Sequence, residues 1–411
     1  MDEKRKRSLE RAAALADPGL YFLKMKEKIP FGLRDSSRKN YELMKGMLLT
    51  LLGGTEENWN DWQWQLHSRI ESLAILEKLI PLTDEEKKNI ELISKTYRWA
   101  MTPYYTALMN PERVEGDVVK AMSVPCIDEL SDAGLEDPSG EEYTNPAGCI
   151  TRRYPDRLII NLTNACPAFC RHCQRRRRIK QSDIASQENQ IQESIEYIRE
   201  NPEIRDVLLT GGDALMLSDD RLEEIVSKIR AIPHVEIIRL GTRTPVTLPQ
   251  RITPELVNRL KKYHPIFLNT QFNHPIEITP EAAEACKRLR DNGFILGNQM
   301  VLLKGINDDK YLVRFLNQEL LQIGVRPYYI FHAKQVKGTL HFQTPVRAGT
   351  EILRYLQGNT SGLVIPNYIV SAPEGLGKIP LPPNYVVAET DDALTLCTWE
   401  GNEISISKNE N

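Results

Sequence analysis

The chain has 411 residues, 41% hydrophobic and 27% charged, with a net charge of −3. That length and apolar content support one large α/β domain with appendages or two domains, and the balanced charge gives no global pull toward nucleic acid or an anionic membrane. No apolar run reaches the roughly 18 residues a membrane span needs, and neither a signal-peptide core nor a disulfide framework is legible among the seven cysteines, so a reducing, cytoplasmic setting is expected.

Residues 1–126 read as an N-terminal helical region. Leu43, Met47, Leu48 and Leu51 recur at helical spacing and stop at Gly53-Gly54, and Thr83-Asp-Glu-Glu86 is a capping box ahead of Ile90, Leu92 and Ile93. Trp59, Trp62 and Trp64 lie between these stretches without interleaved basic residues, which fits helix packing better than a stacking platform for bases. Residues 127–150, with Asp128, Glu129, Asp132, Glu136, Asp137, Glu141 and Glu142 among turn formers, read as an acidic linker.

From Leu158 onward short β-branched runs alternate with amphipathic helices. Strands are expected at Leu158–Asn161, Asp206–Thr210, Glu236–Gly241, Ile266–Gln271, Phe294–Val301 and Arg326–Phe331. Helix starts stand at Ser218, Thr253-Pro254 and Thr279-Pro280, and Leu222, Ile225, Val226 and Ile229 supply one apolar face. Six βα units imply a parallel sheet, either a partial barrel or an open doubly wound sheet. After residue 360, Leu363–Ser371, Tyr385–Glu389 and Ala393–Trp399 read as a short β-rich tail with a hairpin turn at Glu400-Gly401-Asn402. The divisions expected are 1–126, 127–150, 151–380 and 381–411.

Just past the first expected strand stand Cys166, Cys170 and Cys173, at i, i+4 and i+7, followed by Arg175, Arg176, Arg177 and Arg178. Three thiolates on one tight loop suit three corners of an iron–sulfur cube and leave the fourth iron open. A structural zinc would call for a second ligand pair, and the sequence holds no second Cys-x-x-Cys or His-x-x-x-His. Farther on, Lys378 sits in the glycine-bounded loop Gly375-Leu-Gly377-Lys378; a lysine with little steric cover can be reached by a flat ring, and desolvation would make it nucleophilic toward an aldehyde.

The C-x3-C-x2-C spacing resembles the radical S-adenosylmethionine superfamily. Together with Arg153-Tyr154-Pro-Asp-Arg157, Thr210-Gly211-Gly212-Asp213, Gly241-Thr-Arg243-Thr-Pro245, Asn273-His274-Pro275, Gly297-Asn-Gln299 and Gly375 through Lys378, the chain resembles the lysine 2,3-aminomutase family from about Trp59 to Tyr385. The resemblance favours a partial (β/α)6 barrel of the radical SAM type. It implies a [4Fe-4S] cluster on Cys166, Cys170 and Cys173, S-adenosylmethionine on Gly211, Gly212, Asp213 and Gln299, and pyridoxal 5′-phosphate on Lys378 with Arg153, Tyr154 and Arg157. A 5′-deoxyadenosyl radical would abstract a β-hydrogen, and the α-amino group would exchange with it. Arg175 matches the residue that holds the substrate α-carboxylate.

Substrate choice is where the chain departs from the lysine enzymes. Aligned positions of the two aspartates that hold a distal ammonium carry Lys334 and Ser371, which would repel an ammonium and attract a carboxylate. That charge reversal resembles the glutamate-acting branch of the family, so migration of the L-glutamate amino group from C2 to C3 is expected. Lysine or another acidic amino acid is the alternative substrate, and an RNA-binding or RNA-modifying protein the alternative class. The cysteine cluster that holds zinc in the lysine enzymes has no counterpart, so no zinc is expected. A small-molecule amino acid, an electron donor such as flavodoxin or ferredoxin, and a homo-oligomer complete the expected partners, with no nucleic acid and no membrane.

Overall fold

The computed structural model describes residues 2–112, 116–179 and 181–408. Helices Glu3–Lys28, Asp35–Leu52 and Asp84–Ser94, with shorter turns between them, make up the N-terminal region. Thr83 and Glu86 close the expected capping box, and Gly53 ends the second helix in the left-handed region at φ 64°. The apolar faces differ in detail from the sequence reading. Tyr41, Met44 and Leu48 are the buried positions of the second helix while Leu43 is 55% exposed, and Leu92 lies outside the Ile90 and Ile93 face. Trp59 is buried and donates its indole N–H to the Tyr41 hydroxyl at 3.0 Å, as a packing tryptophan should.

The large sheet contains nine strands in strict chain order: β1 (Ile150–Arg152), β2 (Arg157–Thr163), β3 (Asp206–Gly211), β4 (Ile237–Gly241), β5 (Ile266–Thr270), β6 (Ile295–Leu302), β7 (Arg326–His332), β8 (Asn367–Ser371) and β9 (Lys378–Pro380). Strands β2 to β8 are parallel, and β1 and β9 pair antiparallel at the two edges. Helices between them begin as expected, with Ser218, Thr253 and Thr279 each accepting a first-turn N–H. The result is a partial, curled barrel whose hydrophobic core is continuous with that of the N-terminal helices. No described helix is long and apolar enough to cross a membrane.

Two features were not expected. The parallel set has seven strands, because the stretch assigned to the tail at Leu363–Ser371 forms β8, whose Asn367–Ile369 run alongside Tyr329–Phe331 of β7. The crossover that makes this possible is the helix Val346–Asn359, burying Ile352, Leu353 and Leu356; Gly349 and a left-handed Gly358 obscure its periodicity in sequence. The acid-rich segment 127–150 is folded rather than spread in solvent: it forms two 3-10 turns, Ile127–Leu130 and Glu141–Thr144, then β1, with Glu129 and Glu141 buried. The tail proper is an antiparallel sheet of β10 (Val386–Glu389), β11 (Ala393–Cys397) and β12 (Glu403–Ser407). Arg11 of the first helix reaches it with a two-pronged bond to Glu400, both contacts 2.7 Å.

Gly349 is where the last crossover helix meets the sheet. A Cβ there would stand 2.2 Å from the Tyr368 ring, which is held in turn by a 2.9 Å bond between its hydroxyl and His332 Nδ1. Gly349→Ala is therefore expected to lift the helix from β8 and lower stability by about 1–3 kcal/mol. Urea unfolding checks this, and an unchanged midpoint would show that the helix has room to spare.

Candidate active site

The site lies at the carboxyl ends of the parallel strands, where loops rather than strand interiors are free to carry chemistry. One cavity of about 230 Å³ is lined by Cys166, Cys170, Cys173, Arg175, Gly211, Gly212, Asp213, Gln299, Lys334, Ser371, Lys378, Arg153 and Tyr154. Of the residues singled out in the sequence, Arg157 alone is not on the wall: its guanidinium stacks 4.0 Å behind the Tyr154 ring.

The cysteine loop leaves β2 and is held from outside the barrel. Phe169 and Arg171 donate their backbone N–H groups to Ala100 and Met122 carbonyls at 2.9 and 2.8 Å, and Arg69 donates to the Cys166 carbonyl at 2.9 Å. All three thiols are free of disulfides. Burial, with the neighbouring Cys170, pushes the Cys173 thiol up to about 11. Arg243, from the loop after β4, points Nη1 at Cys170 Sγ at 2.9 Å and is itself paired with buried Glu277.

Gly211 and Gly212 bring β3 against the same loop. At Gly211, with φ +130°, a Cβ would fall 2.4 Å from the Thr163 carbonyl oxygen; at Gly212 it would fall 2.3 Å from that of Ala165. Two glycines therefore let the backbone that leads to Cys166 lie directly on the end of β3. Asp213 stands beside them on the cavity wall and also ties strand ends. Its carboxylate accepts from Thr242 Oγ1 at 2.6 Å, the Arg243 N–H at 2.7 Å and the Leu215 N–H at 3.0 Å, tying the ends of β3 and β4 together.

The four consecutive arginines do not face an empty anion site. Arg175 reaches buried Glu141 through Nε and Nη2, each 3.0 Å away, while Arg177 meets Asp137 at 2.8 Å and Arg178 meets Glu141 at 3.4 Å. Arg176 and Arg171 share the fully buried Glu129, with Arg176 stacked 3.7 Å over Tyr97. Burial by itself would raise the Glu141 carboxyl, but Arg175, Arg178 and Arg153 outweigh it and hold the group at about 2. Sequence reading missed Glu129, Glu141, Arg171 and Arg243. The first two could have been found by matching the acids of 127–150 against the arginine run, and Arg243 lay within a motif already marked.

Lys378 opens β9, and its Nζ lies 4.6 Å from the Tyr329 ring centroid and 5.2 Å from that of Phe331. Burial, then the charges of Arg239, Arg157 and Arg153, bring its ammonium down to about 7. Lys334, just past β7, is likewise lowered to about 7 by burial and by Arg153, and donates to Ser139 Oγ at 2.6 Å.

These residues fit the groups that the resemblance implies. Cys166, Cys170 and Cys173 share one cavity wall with their thiols free of disulfides, a sulfur-only donor set that suits an iron–sulfur cluster. Gly375 and Gly377, at φ 79° and 100°, keep the approach to Lys378 clear, and the neighbouring guanidiniums suit a phosphate.

Residues 160–316 match the Radical SAM superfamily, and residues 353–411 match the family described as Lysine-2,3-aminomutase. The chain is 55% identical over 407 residues to a protein named glutamate 2,3-aminomutase from Clostridioides difficile, covering 99% of this chain and 96% of that one. It is 48% identical over 365 residues to the L-lysine 2,3-aminomutase of Clostridium subterminale, covering 88% and 86%. Against the L-lysine 2,3-aminomutase of Bacillus subtilis it is 45% identical, covering 87% and 76%.

The Glu141 cluster makes a prediction that needs no cofactor. With its carboxyl at about 2 against an ordinary 4.5, Glu141 stabilises the fold above the ordinary value and loses that contribution as pH falls from 4.5 toward 2. Glu141→Gln should cost about 3 kcal/mol at neutral pH, the scale for breaking a buried ion pair. In denaturant titrations of the cofactor-free protein the gap from wild type should close toward pH 2; a gap independent of pH would mean that the carboxylate charge is not what holds the loop.

Proposed function

The chain belongs to the lysine 2,3-aminomutase family of radical S-adenosylmethionine enzymes, and we propose that within it this isomerase moves the amino group of L-glutamate from C2 to C3. Its family uses a [4Fe-4S] cluster, S-adenosylmethionine and pyridoxal phosphate: the first two supply hydrogen-atom abstraction, and the third a π-system through which nitrogen can shift between adjacent carbons. Cys166, Cys170 and Cys173 are assigned to the cluster, Gly211, Gly212 and Gln299 to S-adenosylmethionine, and Lys378 with Arg153 and Tyr154 to pyridoxal phosphate. Arg157 is assigned to orienting Tyr154, and Asp213 to holding the two strand ends on which the glycines depend.

The observation that carries the glutamate reading is Lys334, a buried ammonium on the cavity wall where Arg153, Arg175 and Lys378 add positive charge that Glu141 opposes. A substrate with a distal ammonium would add a further cation there, whereas a distal carboxylate compensates it, a difference of several kcal/mol at the low effective dielectric of a buried site. Arg175 is assigned to the α-carboxylate, with its guanidinium donors divided between that group and Glu141. Lys378, already easily deprotonated, is suited to hold a carbonyl carbon. A donor such as flavodoxin or ferredoxin, a homo-oligomeric state and a reducing cytoplasm remain part of this proposal.

Anaerobic turnover of the iron-reconstituted protein with glutamate, aspartate and lysine offered separately, products resolved by NMR, tests the reading. Glutamate alone should give its β-isomer, and Lys334→Asp should abolish that activity. Conversion of lysine in preference to glutamate would overturn the assignment of the distal pocket. The pH dependence adds a second check: Lys334 carries its charge below about 7, so kcat/KM for glutamate should fall as pH rises through that value. Lys334→Met should lose this limb.

A further inference from the structure

Behind Lys334, off the cavity wall, the acid-rich segment carries a residue that no alignment with the barrel strands would reach. Ser139 is 6% exposed, and its Oγ accepts the Lys334 ammonium at 2.6 Å. The serine is fixed from both sides. Asp137 closes a turn onto the Gly140 N–H at 3.1 Å and holds Arg177, while Glu141 holds Arg175. Gly140, at φ +57°, is so close to the loop before Lys378 that a Cβ there would meet the Glu374 backbone at 3.1 Å. The turn 137–141 is thus clamped between the cysteine loop and the Lys378 loop, with the serine hydroxyl facing Lys334.

The choice of a hydroxyl is informative. A carboxylate in its place would neutralise Lys334 and remove its need for an anionic substrate group; an alanine would leave the ammonium free to turn toward solvent or toward the Glu141 carboxylate. A hydroxyl accepts one N–H, leaves the charge uncompensated, and keeps its own O–H to donate. Ser371, to which alignment gives the second distal contact, makes no hydrogen bond through its side chain among the described residues and is the register partner of Lys378.

We propose that Ser139 is a positioning residue for specificity: by accepting from Lys334, its hydroxyl fixes that ammonium where it meets the distal carboxylate of a dicarboxylic amino acid. This assignment rests on the glutamate reading above. Binding an amino acid with a distal carboxylate then depends on a segment outside the barrel, and the segment reads chain length as well as charge because it is clamped.

The test uses the reconstituted holoenzyme and two readouts, steady-state turnover of glutamate and the glutamate dependence of the pyridoxal absorbance band. Ser139→Ala should raise KM and the apparent Kd together by roughly tenfold, the scale of one lost hydrogen bond to a charged group, with kcat much less affected. Ser139→Asp should raise both by roughly a hundredfold or more, and Ser139→Thr, which keeps the hydroxyl, should restore affinity to within a few-fold of wild type. Glutamate turnover by wild type with unchanged KM and Kd in Ser139→Ala overturns this assignment and leaves the glutamate reading standing, as does a fall in kcat and thermal midpoint alone that Ser139→Thr does not rescue. A wild-type enzyme that ignores glutamate overturns the reading and the assignment together.

Discussion

Buried arginines must meet carboxylates, and that constraint organises this molecule. The cysteine loop carries Arg171 and Arg175 through Arg178, and none of these side chains is fully in water. Leaving such charges unpaired would cost several kcal/mol each, more than a marginally stable fold can tolerate. Glu129, Asp137 and Glu141 of the segment 127–150 supply the missing charge. The loop that holds three thiols in one place is therefore defined by an ionic clamp from a neighbouring stretch of chain as much as by its own turn geometry.

That clamp explains how three regions act as one site. The N-terminal region holds the cysteine loop through backbone bonds to Ala100 and Met122 and through Arg69, so it belongs to the site's support although it adds none of the residues that line the cavity. The barrel adds glycines at the end of β3, where backbone must touch backbone, and the far edge adds Lys378 on β9. Between them the segment 127–150 touches both ends, meeting the arginines on one side and the Lys378 loop on the other. Its acids and its serine have different tasks: carboxylates neutralise cations that must stay put, and a neutral hydroxyl leaves one cation available.

The parts legible in sequence were those with local physics. Alternating apolar runs gave the strands β2 to β7, hydroxyl–proline pairs gave helix starts, and cysteine spacing gave the thiol loop, because each depends on residues a few positions apart. Leu363–Ser371 was misplaced in the tail since its strand character is the same whether it pairs with β7 or with a hairpin partner; only the glycine-interrupted helix before it decides. Leu43 faces out while Tyr41, two positions earlier and so on nearly the opposite side of the helix, is buried with Met44 and Leu48, an apolar face that a leucine pattern alone does not mark. Asp213 illustrates a different limit: motif matching finds the residue, but its bonds to Thr242 and Arg243, some thirty residues away, are not legible in the motif. The charge match between 127–150 and the arginine run was visible in composition and lacked only the knowledge that the two are neighbours in space.

The strict chain order of the large sheet bears on how the protein is made. Each strand pairs with its predecessor, so the sheet can lengthen as the polypeptide emerges, with little loop closure required at any step. The cysteine loop and its acidic clamp both precede β3, so that half can assemble early. Lys378 belongs to the last strand added. The two halves of the site thus come from opposite ends of the large sheet's order of synthesis, the thiols from beside its first parallel strand and the lysine from its last strand.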